Sequence, residues 1–206
     1  MKQQMLSLTV VLTTLLGTGA YAIPAIPTGT YTVDGAHSEV SFEVAHMGIS
    51  SVDGKFDKFS GTINVTDKNV DLNADIDTAS VNTGNAKRDG HLQSPDFFDA
   101  AKNKSITFKS TKALVTKNDA KVTGDLTIHG VTKPVTLKGK ITGPIKDFAG
   151  GQRIGFKFTG EINRKDFGLT WNKLMEGVSV VGEKVTLNIQ GEAFTAPPAA
   201  AASAAK

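Results

Sequence analysis

Four histidines, 20 aspartates and glutamates and no cysteine set the chemistry open to this chain. His37, His46, His91 and His129 fall at none of the spacings that build a zinc site. Asp67, Asn69, Asp71, Asn73, Asp75 and Asp77 occupy every second position, like the start of a calcium loop. An EF-hand needs glycine at its sixth position to turn and a bidentate glutamate at its twelfth, and this run has Leu72 and Thr78 there. The intervening Val70, Leu72, Ala74 and Ile76 make it the wet face of a strand instead. Gly48-Ile49-Ser50-Ser51-Val52 lacks the closing glycine of a nucleophile elbow, and no phosphate or dinucleotide loop occurs. The expectation is a protein with no catalytic residue, no metal and no cofactor.

The remaining polar candidates concern positioning. His46 shares a face with Val44, so it is expected to point inward near a strand end. His129 sits at a turn and is expected in water. His91 lies within residues 88–108, where strand alternation stops. There Ser94-Pro95 reads as N-cap and first residue of a short helix, with Asp96 in its first turn. Phe97 and Phe98 then need a dry environment, so this stretch is predicted to be a lid or plug. Charges beside an apolar interior need partners. Arg88, Asp96 and Asp99 are expected to form an ion-pair network, and Asp89 and His91 to help anchor the plug. His91 could instead bond a ligand headgroup. Trp171, the single tryptophan, either caps the core or lines the entrance.

The rest of the domain reads as strands separated by turns. Val40, Phe42 and Val44 alternate with polar residues, and so do Ile63 and Val65, then Val70 to Ile76. After the plug come Ile106 and Phe108, then Val122, Leu126 and Ile128, Val135, Leu137 and Ile141. Ile154, Phe156, Phe158 and Ile162 follow, and Val185, Leu187 and Ile189 close the set. Turn signals at His129-Gly130, Gly143-Pro144 and Gly150-Gly151 separate these runs. About eight to ten antiparallel strands with one apolar face must form a sandwich or a barrel. Gly124, Gly139, Gly160 and Gly191 interrupt the apolar face. They permit the coiling of a closing barrel and, as a compatible reading, leave interior volume unfilled.

Lys2, an apolar run from Met5 to Leu16 and Ala20-Tyr21-Ala22 make residues 1–22 a signal peptide with an A-x-A cleavage site. Cleavage leaves one domain over 23–195 and an Ala/Pro-rich tail over 196–206, expected to be disordered. The formal net charge of +3 is spread along the chain, which argues against nucleic acid as a partner.

Three stretches together resemble one family: residues 88–99 (RDGHLQSPDFFD), 124–135 (GDLTIHGVTKPV) and 162–168 (INRKDFG). They are similar to YceI-like proteins, a periplasmic polyisoprenoid-binding family, and the similarity runs from about Thr30 to Ala193. The resemblance implies an extended, lipocalin-like antiparallel β-barrel of about eight strands with a short helical plug. It implies a long isoprenoid chain, such as a quinone tail or polyprenyl lipid, in the lumen. The residues expected to line that lumen or its mouth are Phe42, Val44, His46, His91, Leu92, Phe97, Phe98, Phe108, Ile128, Phe156, Phe158 and Trp171. Gly90 and Asn103-Lys104 depart from the family pattern near the presumed mouth. The partners expected are a hydrophobic lipid and, transiently, the inner membrane or respiratory membrane proteins; the oligomeric state, a homodimer included, is left open. The rival expectation is a non-enzymatic envelope interaction or stress-response protein with a filled core.

Overall fold

The computed structural model describes residues 26–117 and 119–197. The expected signal peptide, its cleavage site and most of the tail lie outside the described residues. Strands β1 (Gly29–Val33), β2 (Glu39–His46), β3 (Ser50–Phe56), β4 (Phe59–Val65), β5 (Val70–Asp77) and β6 (Val81–Asn82) precede the one α-helix among the described residues, α1 (Ala86–Gln93). After it come β7 (Ser105–Thr116), β8 (Asp119–Ile128), β9 (Val131–Lys146) and β10 (Gln152–Asn163), then a short hairpin of β11 (Leu174–Met175) and β12 (Val178–Ser179), and last β13 (Val181–Phe194).

All pairings are antiparallel, and they close. β13 pairs with β10 along one edge. Its other edge takes β2 and then β1, through Thr32 opposite Phe194 and Val33 opposite Ala193. Three wall strands are broken, β1/β2 at Gly35–His37, β3/β4 at Asp57-Lys58 and β5/β6 at Thr78–Ser80. Counting each broken pair as one, the wall is an eight-stranded up-and-down barrel. Closure leaves no open edge in the ring apart from the two-residue β6, which pairs with β3 alone. Two breaks use one local device: Asp34 accepts from the Ala36 N–H and Asp77 from the Ala79 N–H, each at 3.0 Å. An aspartate bonding the backbone two residues on offers the chain a turn in place of the ladder.

The interior divides in two. At the end away from α1, Tyr31, Ile63, Val65, Val122, Ile154 and Ala193 form a dry cluster. The Tyr31 side chain is fully buried, its O–H donates to the Pro27 carbonyl at 3.0 Å, and burial raises its pKa. At the other end Phe56, Ile76, Ile106, Leu126, Ile128, Ile162, Phe167 and Leu169 form a second cluster, against which Leu92 and Phe98 of the plug pack.

The glycines do not supply the empty space. A Cβ at Gly124 would strike the ring of Phe108, at Gly160 the side chain of Leu137, and at Gly191 the side chain of Ser38. Gly139 packs against the backbone of Lys157, so no side chain fits there at all. Neighbouring side chains lean over the bare positions and let the wall coil tightly. Gly54 behaves the same way beneath the ring of Phe42.

Candidate functional site

The plug follows from local capping. The Asn85 side chain accepts from the Arg88 N–H at 3.1 Å and starts α1 nine residues before the expected N-cap. Ser94 therefore ends the helix, its hydroxyl donating to the His91 carbonyl at 2.7 Å. The chain then folds back, with Phe98 N–H to Leu92 carbonyl and Asp99 N–H to Ser94 carbonyl at 3.0 and 2.9 Å. That return drives Phe97 and Phe98 inward beneath the helix.

The expected network of Arg88, Asp96 and Asp99 does not form; each charge is tied locally. Arg88 donates through Nε to the Thr83 hydroxyl and through its terminal nitrogen to the Thr83 carbonyl, at 2.7 and 2.9 Å. Asp89 accepts from the Thr83 N–H and hydroxyl at 2.9 and 2.6 Å. Together they fasten α1 to the end of β6. Asp96 meets His91 at 3.0 Å, and Asp99 meets Lys102 at 3.0 Å. Gln93 adds a bond to the Ala79 carbonyl at 3.0 Å.

Between the two clusters lies a cavity of about 220 Å³. Few voids in a packed core exceed one water molecule, so this space is a feature of the fold, not a packing defect. Its wall is nearly all hydrocarbon and is drawn from strands all round the barrel and from the plug. Of the residues expected to line it, Phe42, Val44, Leu92, Phe97, Phe98, Phe108, Ile128, Phe156 and Phe158 do so. His46, His91 and Trp171 are not in the wall. His91, Phe97 and Trp171 stack instead as one cluster, with ring centroids 4.8 to 5.1 Å apart. Trp171 thus braces the plug against the segment leading to β11. His129, expected in water, is half-buried against Gly168.

Val185, Leu187 and Ile189 of β13 also line the cavity. Alternation had put them on the apolar face; nothing in the pattern said that their tips would meet space. Arg164 was missed altogether. It is 3% exposed, lines the cavity and follows directly on β10. Its Nε donates to the Gly182 carbonyl at 2.7 Å, and its terminal nitrogens donate to the carbonyls of Leu169, Trp171 and Val181.

A different polar cluster lies on the barrel exterior at the far end. Asp34, His37 and Glu192 bring ligand atoms within 4.8 Å of one another, a spacing that could hold a metal ion. Arg153 already meets Asp34 and Glu192 there, each at 2.7 Å. The Arg153 bond, with a lesser one from His37, lowers the Asp34 pKa to about 2. This ion group clasps the β1–β2 turn to β10 and β13.

Comparison with known proteins agrees with this geometry. Residues 31–193 match the family model of the YceI-like domain. The chain belongs to the YceI-like family. A UPF0312 protein of Vibrio parahaemolyticus is 42% identical over 164 residues, covering 74% of this chain and 86% of the relative. Protein YceI of Escherichia coli is 41% identical over 174 residues, covering 82% and 88%. The crystal structure of the Campylobacter jejuni YCEI protein superposes with a TM-score of 0.65 at 36% identity, covering 74% of this chain and 90% of that one. A polyisoprenoid binding domain from Saccharophagus degradans shares the fold at a TM-score of 0.62 and 19% identity, covering 83% of this chain and all of that domain. In this YceI-like chain Gly90, one of the departures from the family pattern, faces open space on α1.

Proposed function

We propose that this YceI-like chain is a periplasmic carrier or store for an isoprenoid-type lipid, a polyprenyl chain or an isoprenoid quinone, held in the barrel. The observation that carries this reading is the apolar cavity of about 220 Å³ with Leu92, Phe97 and Phe98 of the plug in its wall. Eight-stranded barrels either fill their lumen with side chains or hold one small ligand, and this lumen is incompletely filled. Burying apolar ligand surface at ~25 cal/mol per Å² favours a long hydrocarbon without any polar contact. The polyisoprenoid binding of the Saccharophagus domain supports the same ligand class. Cleavage after Ala22 would deliver the barrel to the periplasm.

Membrane contact belongs to the same reading. Ile49 on the β2–β3 turn and Leu174, Met175 and Val178 on the β11–β12 hairpin are large, exposed and apolar. The two tips are joined by the Met47 N–H donating to the Val180 carbonyl at 3.1 Å. Both stand at the plug end, where a lipid passing to or from a bilayer would leave the barrel.

Extraction of the purified protein into organic solvent, followed by mass spectrometry, tests the proposal. A stoichiometric isoprenoid lipid is expected. A lipid-free protein that also takes up neither quinone nor polyprenol would end the carrier reading.

A further inference from the structure

The chain has three arginines, Arg88, Arg153 and Arg164. Arg88 is exposed, and Arg153 is paired with two carboxylates. Arg164 is the most buried of the three, yet among the described residues no carboxylate bonds to it. The carboxylate whose charge reaches it, Glu183, is bonded to Lys165 instead. Burying a cation without an anion is costly, because carbonyl dipoles replace only part of the lost hydration. Burial accordingly lowers the Arg164 pKa, with Glu183 opposing in part.

Arg164 has a structural role, yet its charge has no anion bonded to it. Four backbone carbonyls accept from Arg164 and so fix residues 169–182, a number of bonds that no neutral side chain could supply. A guanidinium carries five N–H donors, so four bonds leave one unused. Two of its four acceptors, the carbonyls of Leu169 and Val181, belong to residues that line the cavity beside it. Arg164 therefore stands, with one donor unused and no carboxylate bonded to it, in the wall of a cavity whose exposed surface is nearly all hydrocarbon.

We propose that Arg164 binds the head of the ligand, and that this head is an acidic oxygen group, carboxylate or phosphate, on a long apolar chain. This inference rests on the carrier reading and narrows it. The chain supplies affinity in the cavity, and Arg164 selects the anionic end. A neutral quinone oxygen could accept the spare N–H but would leave the charge unpaired.

Matched lipids test it. Lipid-stripped wild-type protein is titrated at neutral pH with a long-chain fatty acid and the alcohol of the same chain, and with a polyprenyl phosphate and its polyprenol. The acid and the phosphate should each bind about 10- to 100-fold more tightly than their alcohols, the range for a hydrogen bond to a charged group. The member of the two acidic pairs that binds more tightly identifies the head. Arg164→Gln should abolish the preference. Equal binding of acid and alcohol by the wild type, or a preference surviving in Arg164→Gln, would overturn the inference while leaving the carrier reading intact. If Arg164→Gln does not fold, the carboxyl carbon of a ¹³C-labelled fatty acid bound to wild type decides by NMR. Facing Arg164, it titrates below its free value; at or above that value, the assignment fails. Inorganic phosphate alone should displace no lipid, and displacement would contradict a chain-bearing ligand. If neither acid nor alcohol binds, the carrier reading falls, and this inference with it.

Discussion

The two ends of the barrel are built from the same alternating strands and finish differently. At the far end Tyr31, Val122 and Ile154 are sealed against one another, and the Arg153 ion group clasps the outside. At the plug end Val185 and Leu187 stay only partly buried, because their tips face the cavity. The far end holds the fold, and the plug end gives up packing for space. An identical apolar pattern can therefore serve stability or binding, depending on what crosses the lumen from the opposite wall.

The largest effect expected from this difference comes from truncating each end in turn. Ile154→Ala should cost about 2–5 kcal/mol, since it opens a void in a close-packed cluster. Leu187→Ala should cost less, about 1–2 kcal/mol, because part of that side chain already lacks neighbours. Urea denaturation of both variants checks this, and equal losses would erase the distinction between the ends. Next in size is the plug fastening. Asp89→Ala removes the acceptor of the Thr83 N–H and hydroxyl, a loss of about 1–3 kcal/mol. Hydrogen exchange should show faster opening confined to residues 83–103, with the far-end strands unchanged. The smallest effect belongs to the external ion group. The Asp34 carboxyl has its pKa lowered from 3.8 to about 2 in the folded chain, so its contribution is complete above pH 3.8 and lost as pH falls through 2. Asp34→Asn should lower stability at neutral pH by about 1 kcal/mol, the upper range for partly exposed pairs, and the gap from wild type should close in acid.

Much of the fold could be read from alternation. Val70, Leu72, Ala74 and Ile76 face inward on β5, and their aspartate and asparagine neighbours face out, as the pattern required. The break in alternation marks the plug, but its helix lies nine residues earlier than the Ser94-Pro95 signal predicts. Ser94-Pro95 has the local chemistry of a helix start, whereas Asn85 caps the helix that forms. The backbone bonds returning from Phe98 and Asp99 turn Ser94 into the end of that helix. The ion partners of Arg88 could not be read because its acceptors are the hydroxyl and carbonyl of Thr83, five residues before it. The glycines suggested missing volume, yet Phe108, Leu137 and Ser38 lean into their places; such close approaches depend on cross-strand register. Arg164 lay hidden for a related reason. Its acceptors lie 5 to 18 residues further along the chain, so nothing nearby marks it as buried.

The central claim is that the space beneath the plug accepts one hydrocarbon chain. Native mass spectrometry of lipid-stripped protein titrated with a polyprenol measures this directly, with Leu187→Trp and Ile154→Val as companions. The account predicts one lipid per chain for wild type and Ile154→Val, and none for a folded Leu187→Trp, whose indole takes up the space. Equal uptake by all three proteins, or none by wild type, would contradict it.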